Sequence, residues 1–135
     1  MANPNGLNPT FDALQMRVKS VTAAADSGAG SKIPAGVQSV IVAGVTNDAN
    51  DWVVLPPVAS VQAGHTISIL CKAGSNFELR TPASSNTKIN DVDSDGSQEY
   101  LCTDTDMVVA TSNGTGWVAV SYTKLGAVRT AVVPD

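Results

Sequence analysis

The stretch Ser112-Asn113-Gly114-Thr115-Gly116-Trp117-Val118-Ala119-Val120 decides the fold class of this 135-residue chain. Its first half consists of small, polar and glycine residues, which favour the tight turn of a β-hairpin. Its second half opens with Trp117 and continues as an apolar strand. The same order occurs earlier, where Asn47-Asp48-Ala49-Asn50-Asp51 leads into Trp52-Val53-Val54-Leu55. Both stretches predict a polar turn that runs directly into a strand.

Short strands with turn residues between them are also predicted through the rest of the chain. The predicted strands are 37–43, 52–55, 65–72, 77–81, 99–103, 107–111 and 117–122. Strands at intervals of roughly 8–12 residues are typical of β-sandwiches and β-barrels. We therefore predict an all-β fold, namely a single antiparallel β-sandwich or barrel of jelly-roll type with an extended N-terminal arm.

The ends of the chain are predicted to lie outside this body. Residues 1–13 are rich in Asn and Pro and predict an extended arm, followed by a body at 14–125 and a C-terminal tail at 126–135. Residues 11–25 contain two competing patterns, a helical spacing of apolar residues and an alternation typical of a strand. Their β-branched residues favour a strand over 14–24, with a helix as the alternative. The apolar side chains that anchor the arm are predicted to be Leu7 and Phe11.

Charge and cysteine content limit the possible partners. Charged residues make up 15% of the chain, against roughly 25% in ordinary soluble domains, and the net charge is −4. Nucleic-acid binding and attachment to an anionic membrane are therefore not expected, because both need clustered Lys and Arg. The N-terminus has no signal-peptide pattern, so synthesis in a cytoplasm is expected. Cys71 and Cys102 are predicted to be reduced, buried thiols on strands, with a disulfide between neighbouring strands as the alternative.

Candidate catalytic and metal-binding residues are few. The segment Asp91-Val92-Asp93-Ser94-Asp95-Gly96 matches the first half of a calcium loop. The twelfth position of that loop is Cys102, where a bidentate Glu is needed, so an acidic surface turn is the preferred interpretation and a weak calcium site the alternative. The single histidine, His65, follows a glycine turn and is predicted to be structural. Asp104 and Asp106 are expected to be solvated. We predict no enzyme activity, no metal and no cofactor.

The two tryptophans allow more than one role. Trp52 and Trp117 each open a predicted strand directly after a turn. We predict that both cap the ends of the β core, where their large apolar area is buried. Platforms for stacking sugars and anchors at a subunit interface remain as alternatives.

Several short motifs, in their order along the chain, resemble bacteriophage capsid cement or decoration proteins, which are small, β-rich head proteins. The motifs that resemble this family are Leu14-Gln15-Met16-Arg17-Val18 after the arm, Val53-Val54-Leu55-Pro56, Ala63-Gly64-His65-Thr66-Ile67-Ser68-Ile69, Asp95-Gly96-Ser97-Gln98-Glu99-Tyr100 and Ser112-Asn113-Gly114-Thr115-Gly116-Trp117-Val118. Similar β motifs occur in phage fibre domains.

The resemblance implies a function as well as a fold. It implies a homotrimer on the outer capsid surface of the virion, with the major capsid protein as its partner, no enzymatic activity and no cofactor. The arm would contact the capsid or a neighbouring protomer, and the candidate contact residues are Leu7, Pro9 and Phe11. A receptor- or glycan-binding domain of a phage fibre is the first alternative, and a separate carbohydrate-binding module is the second.

Overall fold

The computed structural model describes residues 18–25, 31–46, 51–82, 87–90, 99–103, 105–123 and 127. These residues form nine strands, one 3-10 turn at Val58–Ser60 and no α-helix. The strands are β1 (Val18–Thr22), β2 (Ser31–Lys32), β3 (Ser39–Ala43), β4 (Trp52–Val54), β5 (Thr66–Cys71), β6 (Asn76–Arg80), β7 (Glu99–Thr103), β8 (Met107–Ser112) and β9 (Trp117–Tyr122). A five-stranded sheet has the order β1-β3-β5-β8-β9, and a four-stranded sheet has the order β2-β4-β6-β7. The all-β prediction is confirmed.

From β1 to β6, each strand lies in the other sheet from the strand before it. The chain leaves a strand of one sheet, forms a strand in the other sheet and then returns. Its next strand in the first sheet therefore runs in the same direction as the previous one. The pairs β1–β3, β3–β5, β2–β4 and β4–β6 are therefore parallel, whereas β5–β8, β6–β7 and β8–β9 are antiparallel. This winding resembles short turns of a parallel β-helix, closed by antiparallel strands.

The antiparallel part of the fold prediction is wrong for those four parallel pairs. The physical reason is that turn residues between two strands do not show whether the chain stays in its sheet. The polar stretch before Trp52 was expected to be an ordinary turn between strands, yet it lies between β3 of one sheet and β4 of the other. Jelly-roll connectivity, which consists of antiparallel neighbours, is not confirmed.

The described residues form one hydrophobic core, which lies between the two sheets. Alternate residues of β3, β5, β6, β8 and β9 are buried in it, which is the expected period of two. The largest fully buried side chains include Trp117, Phe77, Ile67, Ile69 and Leu79. Burying a side chain of this size stabilises the fold by about 1.5–3 kcal/mol. A hydrogen bond of 2.7 Å from Tyr100 Oη to Ser121 Oγ joins the two sheets beside the core.

Most of the predicted strands are confirmed with small shifts of their ends. The strand preferred over a helix for 14–24 is confirmed at Val18–Thr22, and its earlier residues lie outside the described ranges. The β8–β9 hairpin forms as expected, with Ser112 paired to Trp117 and Gly114 at φ 96°. Sequence reasoning missed β2, which is only two residues long and lies at the end of a Ser/Gly-rich stretch. The arm at 1–13, with Leu7, Pro9 and Phe11, lies outside the described residues.

The outer edge of β9 is covered by the segment 87–90. Trp117 N donates to Lys88 O (2.8 Å), and Asn90 N donates to Trp117 O (2.8 Å). The Asn90 side chain then continues the pairing, because its Nδ2 donates to Ala119 O (2.9 Å) and its Oδ1 accepts from Ala119 N (2.8 Å). Asn90 has φ 55°, a left-handed conformation that Asn tolerates better than most residues. This segment therefore satisfies backbone groups that a bare sheet edge would expose.

Candidate interaction surfaces

The outer face of the five-stranded sheet carries no charged side chain on any of its strands. The outward-facing residues alternate with buried ones on β3, β5, β8 and β9, and on the edge strand β1, where the exposed Lys19 lies on the other face, they follow from the register with β3. They are Val18, Ser20 and Thr22 on β1, Ser39, Ile41 and Ala43 on β3, Thr66, Ser68 and Leu70 on β5, Met107, Val109 and Thr111 on β8, and Val118, Val120 and Tyr122 on β9. A solvated sheet face normally alternates apolar-in with polar-out, so this face is unusually apolar.

Apolar side chains form a continuous row across this face. The register places Ile41 beside Leu70, Leu70 beside Met107, and Met107 beside Tyr122. Ile41 and Leu70 are each 37% exposed, and Val118 is 51% exposed. The strands span about 20 Å by 15 Å at ordinary β spacings. Contiguous exposed apolar area of this kind marks interaction sites in folded proteins. We refer to this surface as the uncharged face.

The four-stranded sheet offers a direct contrast within the same molecule. Its outer face carries Lys32, Glu78 and Arg80. Arg80 Nη2 and Glu78 Oε2 form an ion pair of 2.6 Å, and the Arg80 guanidinium lies 4.3 Å from the centre of the Trp52 ring. Cation–π contacts of this type favour a fixed orientation of both groups. The outer face of the four-stranded sheet therefore carries charged side chains, two of which pair with each other, whereas the uncharged face carries none.

Each of the three parallel strands of the four-stranded sheet is followed by a proline, and the three prolines occupy aligned positions. Lys32 pairs with Val54, and Val54 pairs with Arg80. Two positions later in each strand come Pro34, Pro56 and Pro82, so these prolines occupy equivalent positions in successive turns of the chain. Proline has no N–H and ends a ladder of backbone hydrogen bonds. The carboxyl ends of these three strands therefore lack backbone N–H donors at the proline positions.

A cavity of about 470 Å³ opens at the carboxyl ends of β2, β4 and β6. Its walls are mostly apolar and include Trp52, Ile33, Leu55 and the three aligned prolines, with Pro57 beside them. Among its lining residues the charged one is Lys32. Trp52 Nε1 is buried and has no hydrogen-bond partner among the described residues. We refer to this site as the Trp52 cavity.

The structure separates the roles of the two tryptophans. Trp117 is 1% exposed and belongs to the core cluster, so the predicted core position is confirmed for it. Trp52 is half-buried, lies outside that cluster and lines the cavity instead. The aligned prolines were the available sequence signal for this site, but their alignment appears only once the parallel register is known.

The remaining predicted residues have structural surroundings. Cys71 and Cys102 are buried, unbonded to each other and located on β5 and β7, as expected. His65 Nε2 lies 3.1 Å from Val37 O, which ties the start of β5 to the segment before β3. The expectation that Asp106 is solvated is wrong, because it is 3% exposed and its carboxylate accepts from Thr103 Oγ1 (3.0 Å).

A buried carboxylate that sequence reasoning missed stabilises the chain just before β4. Asp51 is fully buried. Its Oδ2 accepts from the backbone N–H groups of Val45 and Thr46 (2.8 Å to the latter), and its Oδ1 accepts from Thr46 Oγ1 (2.8 Å). These bonds satisfy a charge that would otherwise be costly to bury. We assign Asp51 a structural role.

The described ranges contain neither a metal-binding cluster nor a helix that could span a membrane. Those ranges contain no cluster of three or more His, Cys, Asp or Glu residues that could hold a metal ion. The candidate calcium segment at 91–96 lies outside them, as does Asp104. Within the same ranges, no helix is long and apolar enough to cross a membrane.

No protein-family model, curated protein or solved structure matches this chain. The resemblance to phage decoration proteins therefore depends on the short motifs alone.

Proposed function

We propose that this chain is a structural virion protein that decorates the outer surface of a bacteriophage capsid as a homotrimer and cements neighbouring capsid subunits. The observation that supports this proposal best is the uncharged face. Another protein can cover such a face without burying unpaired charge, which is expensive. The partners in the proposal are the major capsid protein and other copies of this chain, with no role for nucleic acid or a membrane. Synthesis takes place in the host bacterial cytoplasm.

The size of the uncharged face suggests that it is the centre of a larger contact. A stable interface buries about 800 Å² on each partner, which is more than this strand area of about 20 Å by 15 Å supplies as a flat footprint. Contacts outside this strand area would have to supply the remaining area. A closed trimer repeats each contact three times, and several weak contacts to a capsid then add through multivalency.

The proposal includes a more detailed description of the fold than strand order alone provides. We describe the body as a β-sandwich because both sheets bury side chains in one cluster. An extended arm at 1–13 completes the assignment, with Leu7, Pro9 and Phe11 as its contact residues. Jelly-roll connectivity receives no support from the four parallel pairs.

The test compares two exposed leucines on opposite sheets. Leu70 lies on the uncharged face and is 37% exposed, whereas Leu101 lies on β7 of the other sheet and is 42% exposed. Leu70→Lys should lower the mass measured by light scattering from trimer to monomer, or release the protein from capsids of its phage in co-sedimentation. Leu101→Lys is the matched control and should change neither result.

Two outcomes would contradict the proposal. The first is that the chain is absent from purified particles of the phage that encodes it, as judged by mass spectrometry. The second is that Leu70→Lys and Leu101→Lys bind capsids and assemble equally well. Deleting residues 1–13 should abolish capsid binding and leave the β body folded.

The glycan-binding alternative has weaker support. Sugars stack on open aromatic faces, yet Trp117 is in the core and Arg80 covers one face of the Trp52 ring, so the two tryptophans offer at most one open face. The Trp52 cavity also offers few polar side chains to hydrogen-bond a sugar. These features disfavour glycan binding as a second function.

A further inference from the structure

We propose that the Trp52 cavity is the receptor for the arm of this same chain, with Leu7, Pro9 and Phe11 as the side chains that enter it. This inference builds on the arm that the proposed function assigns to subunit contacts, but it concerns the isolated protein and requires no capsid.

The chemistry of the cavity favours an extended, apolar and proline-containing segment. Trp52 and the aligned prolines present flat, rigid apolar surfaces, and grooves lined in this way accept extended proline-containing peptides in other proteins. Rigid walls lose little conformational entropy when they are covered. A strongly polar or charged ligand would find Lys32 as its only charged contact among the lining residues.

The pattern of the arm matches these requirements. Leu7, Pro9 and Phe11 are spaced two residues apart, so in an extended chain their side chains point to the same side. They cover about 13 Å, and the ends of β2, β4 and β6 lie across about 10 Å at ordinary strand spacing. No side chain from Met1 to Phe11 is charged. The next residue is Asp12, whose carboxylate would emerge near Lys32 at the mouth of the cavity.

The length of the connecting chain permits this docking. The described chain begins at Val18, and Ala24, at the end of the same segment, pairs with Trp52 through hydrogen bonds of 2.9 and 3.1 Å. Val18 and Ala24 are therefore at most about 20 Å apart, and the chain from Phe11 to Val18 can span about 25 Å. The arm can just reach the cavity of its own body if it is fully extended. A neighbouring copy in a trimer offers the same cavity.

The two tryptophans provide a test with an internal control. The indole N–H signals of Trp52 and Trp117 can be compared by ¹⁵N NMR in the full chain and in a variant that lacks residues 1–13. We expect the Trp52 signal to shift on deletion and the Trp117 signal, which comes from the core, to stay in place. A synthetic peptide of residues 1–13, added to the truncated protein, should restore the original Trp52 signal.

Point variants keep the test independent of the deletion. Leu7→Ala with Phe11→Ala should reproduce the shift of the Trp52 signal, and Lys32→Glu should weaken peptide binding several-fold. Lys72→Glu, an exposed lysine after β5, is the matched control and should bind the peptide normally. Unlabelled full-length protein mixed with ¹⁵N-labelled truncated protein will show whether the arm reaches a neighbouring copy.

An unchanged Trp52 signal in the truncated protein would overturn the inference. It would also be overturned if deletion of the tail at 126–135, rather than deletion of the arm, shifted that signal. Neither result depends on capsid binding, which co-sedimentation measures separately. Failure of this inference and failure of the proposed function are therefore distinguishable.

Discussion

Asn90 offers a quantitative test of how the β9 edge is protected. Asn90→Ala removes both side-chain hydrogen bonds to Ala119 and places alanine at φ 55°. Each hydrogen bond contributes about 1 kcal/mol net. The left-handed conformation costs alanine about another 1 kcal/mol. We therefore expect Asn90→Ala to lower the free energy of unfolding by about 3 kcal/mol.

Asn90→Gly separates the two contributions. Glycine also loses both hydrogen bonds, but it adopts positive φ without the steric cost. We expect a loss of about 2 kcal/mol, so glycine should be the milder substitution even though it has no side chain. Gln62→Ala, at an exposed position before β5, is the control and should stay within about 0.5 kcal/mol of the wild type.

The assay is urea denaturation followed by tryptophan fluorescence, at one fixed protein concentration because assembly would raise apparent stability. The midpoint should fall for both variants while the slope is unchanged. The reasoning is refuted if Asn90→Ala costs less than about 0.5 kcal/mol, or if Asn90→Gly costs more than Asn90→Ala. Either result would mean that the edge pairing seen here does not determine the stability of the hairpin.

Two further predictions concern buried polar and thiol groups. Cys71 and Cys102 are each 1% exposed, so both should resist Ellman's reagent in the folded protein and both should react in denaturant; a count of zero in denaturant would instead indicate a disulfide. Asp51→Ala should cost about 3 kcal/mol because it leaves two partly buried backbone N–H groups without their acceptor. Asp51→Asn should cost about 1 kcal/mol because the amide oxygen can still accept from them, and equal losses for the two Asp51 variants in urea denaturation would contradict this explanation.

Local structure was largely predictable from the sequence. The strand at Thr66–Cys71 and the hairpin around Gly114 follow from alternation and turn chemistry, because both act within a few residues. The short strand β2 could not be found in this way, since a two-residue strand has no measurable period. Its pairing with β4 exists only because the chain crosses between sheets.

The candidate sites were less predictable because they depend on register between distant segments. Pro34, Pro56 and Pro82 look like three unrelated strand ends in the sequence, and only the parallel ladders align them. Trp52 and Trp117 follow similar turns, yet they face different surroundings because they start strands in different sheets. Asp106 looks like a solvated turn residue, but the approach of β5 buries it, since Cys71 N donates to Asp106 O at 2.9 Å.

The alternation of the chain between its sheets also has a consequence for how the protein can change length. Val18 pairs with Ser39 and Ser39 pairs with Ser68, so successive windings of the chain differ in length while the strands stay aligned. Extra residues between windings are accommodated in the connections rather than in the ladders. After an insertion or deletion of one whole winding, the next strand would still lie in the same sheet, run in the same direction and be followed by a proline at the equivalent position. Whole windings can therefore be added to this fold or removed from it while the antiparallel strands that close it stay unchanged.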